Sequence, residues 1–315
     1  MKLCTPIFFL LSDFVCTVIS PGFLWGGEEH KEGLSGVKNV TIPGFEENGR
    51  LSWKLSANEV NFMGEGLYEA SDLTLETMTG FNQSNARSSN GLFKPKSGEA
   101  NGDSLLTVEG KGFSAEGEQW IWRERTDEGQ HLMAFKENGK VLFEEDLNLG
   151  ITSSDRKISP DKKFSTFAVA EYIELLELSK ESNRFLLRGK VSISSEEMKI
   201  QCEEMELLFE KDQNQSSLGK ISKVFAKSAV ELEQPGRKSF CDSLTIDSMD
   251  GEAVLEGNAR VEDNEWGVVR GEKILLQKGT RRAQVMGSEG NRPRIELPSL
   301  PSLGFPLGRK KEEDE

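Results

Sequence analysis

A short alternating phrase recurs six times along the chain. Apolar positions two apart are followed by a small residue, two or three polar residues, and apolar positions two apart again. Residues two apart lie on one face of a β-strand, so each copy predicts a half-buried strand that bends near the small residue. Repetition of one such unit indicates a stacked architecture. The small residues of the six copies are Ala57, Ala115, Ala170, Cys202, Cys241 and Gly271.

Simpler alternating segments lie between these copies, and turn-forming pairs accompany them. Asn–Gly and Asp–Gly pairs between alternating strands are strong signals for a β-hairpin. The sequence therefore predicts an all-β fold, an open β-jellyroll of folded-over, stacked rungs joined as an antiparallel meander of hairpins. The predicted turns are Asn48–Gly49, Asn138–Gly139, Pro235–Gly236 and Asp250–Gly251. The predicted intervening strands are Leu67–Leu75, Leu105–Val108, Lys140–Phe143, Arg184–Ile193, Ala229–Leu232 and Ala253–Val261.

Two polar segments interrupt this rhythm. Phe81–Asp103 is rich in Asn, Ser, Gly and Lys and predicts a long loop, and Gly150–Lys163 predicts a domain boundary. Phe164–Lys180 also satisfies a helical period, but its match to the repeated phrase favours a strand. The prolines that follow Gly287 predict an extended tail. We predict four parts: an N-terminal segment 1–27, a β-rung module 28–150, a β-jellyroll module 164–290, and a tail 291–315.

The N-terminal segment has the pattern of a secretory signal. Lys2 precedes an apolar stretch, Leu3–Ile19, and Asp13 interrupts that stretch. We predict that the protein is exported. Two alternatives stay open for the segment, which is either cleaved as a signal or retained as a membrane anchor. The 53 acidic residues exceed the 39 basic ones, giving a formal net charge of −14. This charge disfavours nucleic acid as a partner, because binding to nucleic acid depends on neutralised phosphates.

Little in the sequence supports catalysis. There is no nucleophile-elbow, phosphate-loop or dinucleotide-binding motif, and two histidines with two cysteines beyond the export segment are too few for a metal site. Carboxylate pairs such as Glu203–Glu204 fall on polar faces, where solvated surface is the ordinary explanation. A carbohydrate-active enzyme would need exposed aromatic residues, for which Trp120 and Trp122 are the candidates. We predict no enzyme, no cofactor and no metal.

The two cysteines of the predicted mature chain have two interpretations. Cys202 and Cys241 occupy the small-residue slot of two consecutive copies, which predicts small buried side chains. If the two rungs are adjacent, their spacing would also allow a disulfide in an oxidising compartment.

The apolar rows of the repeats predict the candidate binding site. In register, they would form columns on one inner face, which either packs shut as a core or stays splayed as a groove for acyl chains. Burial of an acyl chain contributes about 0.8 kcal/mol per methylene, enough for binding without charged partners. The candidate lining residues are Leu55, Val60, Phe62, Phe113, Ile200, Met205, Leu207, Leu244, Ile246, Val269, Ile274 and Leu276.

These residues carry a family resemblance. The phrase Trp53–Val60 resembles the opening rungs of LptC-type periplasmic proteins of lipopolysaccharide export. The segment Arg184–Gly287 resembles the organic-solvent-tolerance (OstA-like) domain of LptA, through the spacing of apolar residues, Gly and Val in Leu187–Ile193 and Leu255–Val261. The resemblance implies an open β-jellyroll that stacks end to end into a bridge across the periplasm, with lipid A acyl chains in its groove.

The same resemblance implies the partners and the location. The partners would be lipopolysaccharide, bound through its lipid A acyl chains, other β-jellyroll transport proteins paired end to end by strands, and an inner-membrane ATP-driven exporter complex. The location would be the periplasm. The alternative is an assembly scaffold of the cell envelope, with a closed interior, that recruits partners by β-strand addition.

Overall fold

The computed structural model describes residues 36–46, 48–78, 84–125, 130–147, 165–179, 182–196, 198–210, 218–265, 267–277, 283–287 and 292–297. The predicted export segment, the whole predicted boundary Gly150–Lys163 and the last 18 residues lie outside these ranges. Eighteen β-strands and no helix occur in the described part, which confirms the predicted all-β class. The described residues thus contain no helix that is long and apolar enough to cross a membrane.

The strands follow the repeated phrases and the segments between them. They are β1 (Val37–Phe45), β2 (Leu51–Gly64), β3 (Leu67–Thr77), β4 (Ser84–Lys94), β5 (Glu99–Gly102), β6 (Leu106–Gly110), β7 (Phe113–Arg125), β8 (Gln130–Phe143), β9 (Thr166–Ala170), β10 (Tyr172–Ser179), β11 (Ser182–Ser194), β12 (Lys199–Glu210), β13 (Lys220–Gln234), β14 (Arg237–Asp247), β15 (Glu252–Asp263), β16 (Gly267–Gln277), β17 (Ala283–Met286) and β18 (Arg294–Glu296).

All of these strands belong to one antiparallel sheet. Most consecutive strands pair, as the predicted meander requires, and the pairing continues across the predicted domain boundary because β8 pairs with both β9 and β10. The described residues fall in one compact unit, Gly33–Glu315. The division into two modules stays a prediction.

The sheet folds over along a line that crosses every long strand. Register shifts mark this line, for example between Gln201 and Glu204 on β12 and between Phe240 and Ser243 on β14. We call the side that carries Leu55, Ile200 and Val269 half-sheet A. The side that carries Val60, Leu207 and Ile274 is half-sheet B. Three strand pairs divide at the line instead of crossing it: β5 with β6, β9 with β10, and β17 with β18.

Two kinds of bend alternate between neighbouring strands in the C-terminal part of the sheet. β12, β14 and β16 carry the small residues Cys202, Cys241 and Gly271 at the line, as the repeats predicted. β11, β13 and β15 carry residues in the left-handed backbone region instead; these are Gly189 and Lys190, Ser228 and Ala229, and Gly257 and Asn258. A left-handed residue inserts a bulge that bends the strand without ending it.

The predicted loop Phe81–Asp103 is wrong, because the segment contains β4 and β5. Three buried positions of β4 carry the small residues Ala86, Ser88 and Gly91, which lie between more exposed polar residues. The Trp120 ring explains the glycines: a Cβ at Gly91 or Gly102 would lie only 2.8 Å from that ring. The Trp120 side chain on β7 thus fills the inward space at Gly91 and Gly102, where an alternating strand would normally carry apolar side chains.

The predicted turn at Asn138–Gly139 is also wrong. Both residues lie inside β8, where Asn138 has a φ of 53° and its amide donates to Glu118 Oε2 at 2.9 Å. A Cβ at Gly139 would lie 2.7 Å from Ile173, so the glycine permits close packing at the bend. The other three predicted turns do connect strands.

The extended tail needs a smaller correction. Arg294–Glu296 forms β18 and pairs with Val268–Arg270 of β16, although prolines surround it in sequence. Pairing over three residues fits between the prolines, each of which lacks a backbone donor.

Candidate functional site

The space between half-sheets A and B collects most of the predicted lining residues. Contacts between rings on different halves show that the two inner faces meet. Ten of the twelve candidates are at most 5% exposed within one continuous apolar cluster, and Val269 packs against it. These ten are Leu55, Val60, Phe113, Ile200, Met205, Leu207, Leu244, Ile246, Ile274 and Leu276.

Phe62 is the exception among the candidates. It lies on the inward face of half-sheet B, two residues beyond Val60, but is 38% exposed. Its ring contacts Tyr68, which stacks on Phe93, with ring centroids 5.3 and 5.2 Å apart. The N-terminal end of the interior is therefore lined by an aromatic row and is more accessible than its centre.

The centre is closed by an aromatic cluster of four rings, of which only Phe113 is among the predicted lining residues. Phe113 and Phe143 lie on half-sheet A, and Phe185 and Phe209 lie on half-sheet B. Phe185 contacts the other three rings at centroid distances between 4.9 and 5.6 Å. The sequence does indicate that Phe209 faces inward, because it follows Leu207 by two residues and so lies on the same face of the strand. Which inward rows of side chains contact each other depends on the register of strand pairing, and the alternation within a single strand does not specify that register.

Backbone contacts also close the mouth of the groove near this cluster. The mouth is the side opposite the bends. Leu218 N, which precedes β13 of half-sheet B, donates to Lys111 O at 2.9 Å, between β6 and β7 of half-sheet A. Leu147 is also buried, and its backbone N–H donates to Thr166 Oγ1 of half-sheet A at 2.9 Å. The bond between Leu218 and Lys111 thus joins the two half-sheets in addition to their apolar packing.

A second closure lies at the N-terminal part of the mouth. Trp53 of half-sheet A donates from Nε1 to Glu124 Oε2 of half-sheet B at 2.7 Å. Its ring meets Trp122 edge-on at 5.3 Å, and Trp122 stacks on His131 at 5.7 Å. Burial lowers the pKa of His131, while the nearby carboxylates of Glu124 and Glu46 act in the opposite direction. The neutral imidazole is therefore favoured against the Trp122 ring.

The cysteines belong to the bends and not to a disulfide. β13 lies between β12, which carries Cys202, and β14, which carries Cys241, so the expectation of adjacent rungs is wrong. Both thiols are free and buried, and burial raises the pKa of each to about 12. Such thiols are small apolar side chains with little nucleophilic character.

The described residues give no support to a carbohydrate-active site. Trp120 and Trp122 are buried in the core, so they cannot form the exposed aromatic platform that such a site would need. Within the same described part of the chain, no group of three or more His, Cys, Asp or Glu side chains is placed to hold a metal ion.

Comparison with known proteins identifies a family for one part of the chain. Residues 174–282 match the model of the LptA/(LptD N-terminal domain) LPS transport proteins. These residues run from β10 to the end of β16 and beyond, so the predicted resemblance to LptA and the OstA-like domain is confirmed there. The resemblance of the N-terminal part to LptC stays a prediction. No curated protein matches the chain.

A solved structure resembles part of the sheet. It is LptH of Pseudomonas aeruginosa, described as the LptA-homologous periplasmic component of the conserved lipopolysaccharide transport device. The similarity covers 43% of this chain and 95% of LptH, at 18% sequence identity and a TM-score of 0.34.

Proposed function

We propose that this protein is a periplasmic component of a lipopolysaccharide-transport bridge, and that its two half-sheets hold lipid A acyl chains between them. The family match over residues 174–282 carries this proposal. The match includes eight of the twelve candidate lining residues, from Ile200 on β12 to Leu276 on β16.

The chemistry of the interior supports an acyl ligand. Its core rows are almost entirely Leu, Ile, Val, Phe, Met and Ala, and burial of apolar surface is non-directional. An acyl chain that slides from one row of side chains to the next loses little binding free energy, because it makes no directional bond to any of them. The formal net charge of −14 gives no general attraction to an anionic ligand, so binding would depend on the apolar part.

The edges of the sheet support end-to-end pairing with other β-jellyroll proteins. Among the described strands, β1 pairs only with β2, and β17 and β18 pair only with β16. Their outer backbone donors and acceptors suit strand addition. In this proposal, one edge would face an inner-membrane ATP-driven exporter complex, which would supply the energy for movement.

One observation favours a second function, an assembly scaffold with a closed interior. The central rows are fully buried, and both hydrogen bonds and aromatic rings join the half-sheets. Lipid binding therefore requires the half-sheets to separate, whereas a scaffold does not.

Binding of lipopolysaccharide to the purified protein separates the two functions. The protein would be mixed with lipopolysaccharide or with the polysaccharide released from it by mild acid, which lacks lipid A. The protein is expected to co-elute from a size-exclusion column with intact lipopolysaccharide but not with the released polysaccharide. If neither molecule binds to a folded protein, the scaffold function replaces the proposal.

A further inference from the structure

An inward polar patch interrupts the apolar lining near the C-terminal part of the mouth. Gln234 ends β13 on the face that carries Val230 and Leu232, and it is only 6% exposed. Ser239 lies opposite Leu232 on β14 and is 1% exposed. The patch consists of these two residues and the pair Arg237–Asp263 beside them.

Neither Gln234 nor Ser239 has its hydrogen-bonding groups satisfied. Both Gln234 Oε1 and Nε2 are buried without a partner, and the same holds for Ser239 Oγ. Since both ends of the amide lack a partner, exchanging its oxygen and nitrogen would not supply one. Most buried polar side chains in proteins do have a partner, so this pair requires an explanation.

The neighbouring charges are already used. Arg237 donates from Nε and Nη2 to Asp263 Oδ2 at 3.3 and 3.2 Å, and its strand position is directly opposite both Gln234 and Asp263. The patch therefore carries no free positive charge for a phosphate or a carboxylate. Such an acceptor-only group would also leave Gln234 Oε1 without a donor.

We propose that Gln234 and Ser239 form a hydrogen-bonding subsite for the amide linkage of an N-acylated amphiphile. An amide offers one donor and one acceptor, which complements the Gln234 side chain at both ends, and Ser239 can bond the remaining carbonyl lone pair. The acyl chain would then extend along the apolar rows beyond Leu232. This subsite rests on the proposed function, because it assumes that acyl chains enter the interior.

The test compares two amphiphiles with the same chain length. N-dodecanoylglucosamine carries an amide linkage, 2-O-dodecylglucose carries an ether linkage at the same ring carbon, and dodecyl phosphate serves as a charged third compound. Their affinities for the full chain would be measured by calorimetric titration below their micellar concentrations. Variants Gln234→Leu and Ser239→Ala would be compared with Glu233→Gln, the outward-facing neighbour of Gln234.

The wild type is expected to bind the amide compound about fivefold more tightly than the ether, the effect of one net hydrogen bond. Gln234→Leu should remove this preference and leave the affinity for the ether unchanged, while Glu233→Gln retains the preference. Thermal unfolding of each variant checks that it is folded. Equal affinity of the wild type for amide and ether, preference for the phosphate, or an equal loss for all compounds in Gln234→Leu would overturn the subsite and leave the acyl-binding function standing. Failure of every amphiphile to bind the wild type would overturn both.

Discussion

The inward slot at each bend accepts a residue of small volume, and Cys202 and Cys241 are equivalent there to Ala57, Ala115 and Ala170. The slot explains why a cysteine stands where neighbouring repeats have alanine. Its burial explains why the pKa of each thiol is raised to about 12.

Alkylation should therefore distinguish the folded from the unfolded protein. At pH 8, iodoacetamide is expected to leave the Cys202 and Cys241 peptides unmodified in the native protein and to modify both in guanidinium chloride, because only the thiolate reacts. Peptide mapping by mass spectrometry gives the readout. A peptide in which Cys202 is linked to Cys241 would contradict the structure, since β13 places them about 9.6 Å apart, beyond disulfide reach.

His131 makes stability depend on pH in one direction. Its pKa in the folded protein is lowered by burial from the usual 6.5, so the unfolded chain binds the proton more readily. Burial of the neutral His131 side chain contributes fully to stability above pH 6.5. This contribution is lost as the pH falls through and below that value, because the unfolded chain takes up the proton first.

The melting temperature measured at pH 7.5 and pH 5.5 tests this effect. The wild type is expected to lose more stability between these pH values than His131→Gln, which cannot take up the proton. Other groups, including Glu145, whose pKa burial raises, titrate in both proteins and cancel in the comparison. The same decrease in both proteins would show that His131 is not responsible.

At the scale of the strand, the bends depend on left-handed residues that contact an acidic neighbour. Gly257 has a φ of 74°, and a Cβ there would lie 2.4 Å from Asp242 Oδ2, whose carboxylate also accepts from the Asn258 amide at 3.0 Å. The bulge and the carboxylate thus fit each other, and both the backbone conformation and the space require glycine.

Gly257→Ala should lower the free energy of unfolding by about 2–3 kcal/mol, because it adds a steric clash to the strain of a positive φ. Gly49→Ala is the matched control. Its φ is 80°, but nothing lies within 4 Å of its added Cβ, so about 1 kcal/mol is expected. Urea denaturation measures both values, and equal losses would show that the contact with Asp242 has no role.

The sequence predicted most strands and the positions of the small-residue bends because both depend on local side-chain periodicity. It failed where a distant residue decides the pattern. Gly91 and Gly102 resemble loop residues until Trp120 is seen to occupy their inward space. Asn138 and Gly139 have the sequence of a turn, yet Glu118 and Ile173 fit them to a bulge within one strand.

At the scale of the whole molecule, the interior is closed at its centre and more open at its N-terminal end. The lining residues were predicted from the alternation of apolar and polar residues along each strand. That alternation does not show whether the inward side chains of the two half-sheets contact each other. Phe185 and Phe209 close the centre because the register of β11 and β12 brings them opposite Phe143 across the fold.

The difference between centre and end should appear in stability. Phe185→Ala is expected to cost about 3–5 kcal/mol, since it removes a fully buried ring from contacts with three others. Phe62→Ala, at a ring that is 38% exposed, should cost about 1 kcal/mol. Urea denaturation gives both losses. A loss at Phe62 as large as that at Phe185 would contradict an open N-terminal end.

Photo-crosslinking to lipopolysaccharide tests most directly whether acyl chains enter between the half-sheets. A benzophenone amino acid would replace Phe62, Leu207 or Leu276 on the inward face, with Glu206 on the outward face of β12 as the control, and each variant would be checked for folding. Crosslinks at Leu207 and Leu276 as well as Phe62, with none at Glu206, are the predicted result. Because Leu207 is fully buried, such a crosslink requires the half-sheets to separate around the lipid. Folded variants that give no crosslink at Leu207 and Leu276 would contradict the conduit and favour the closed scaffold.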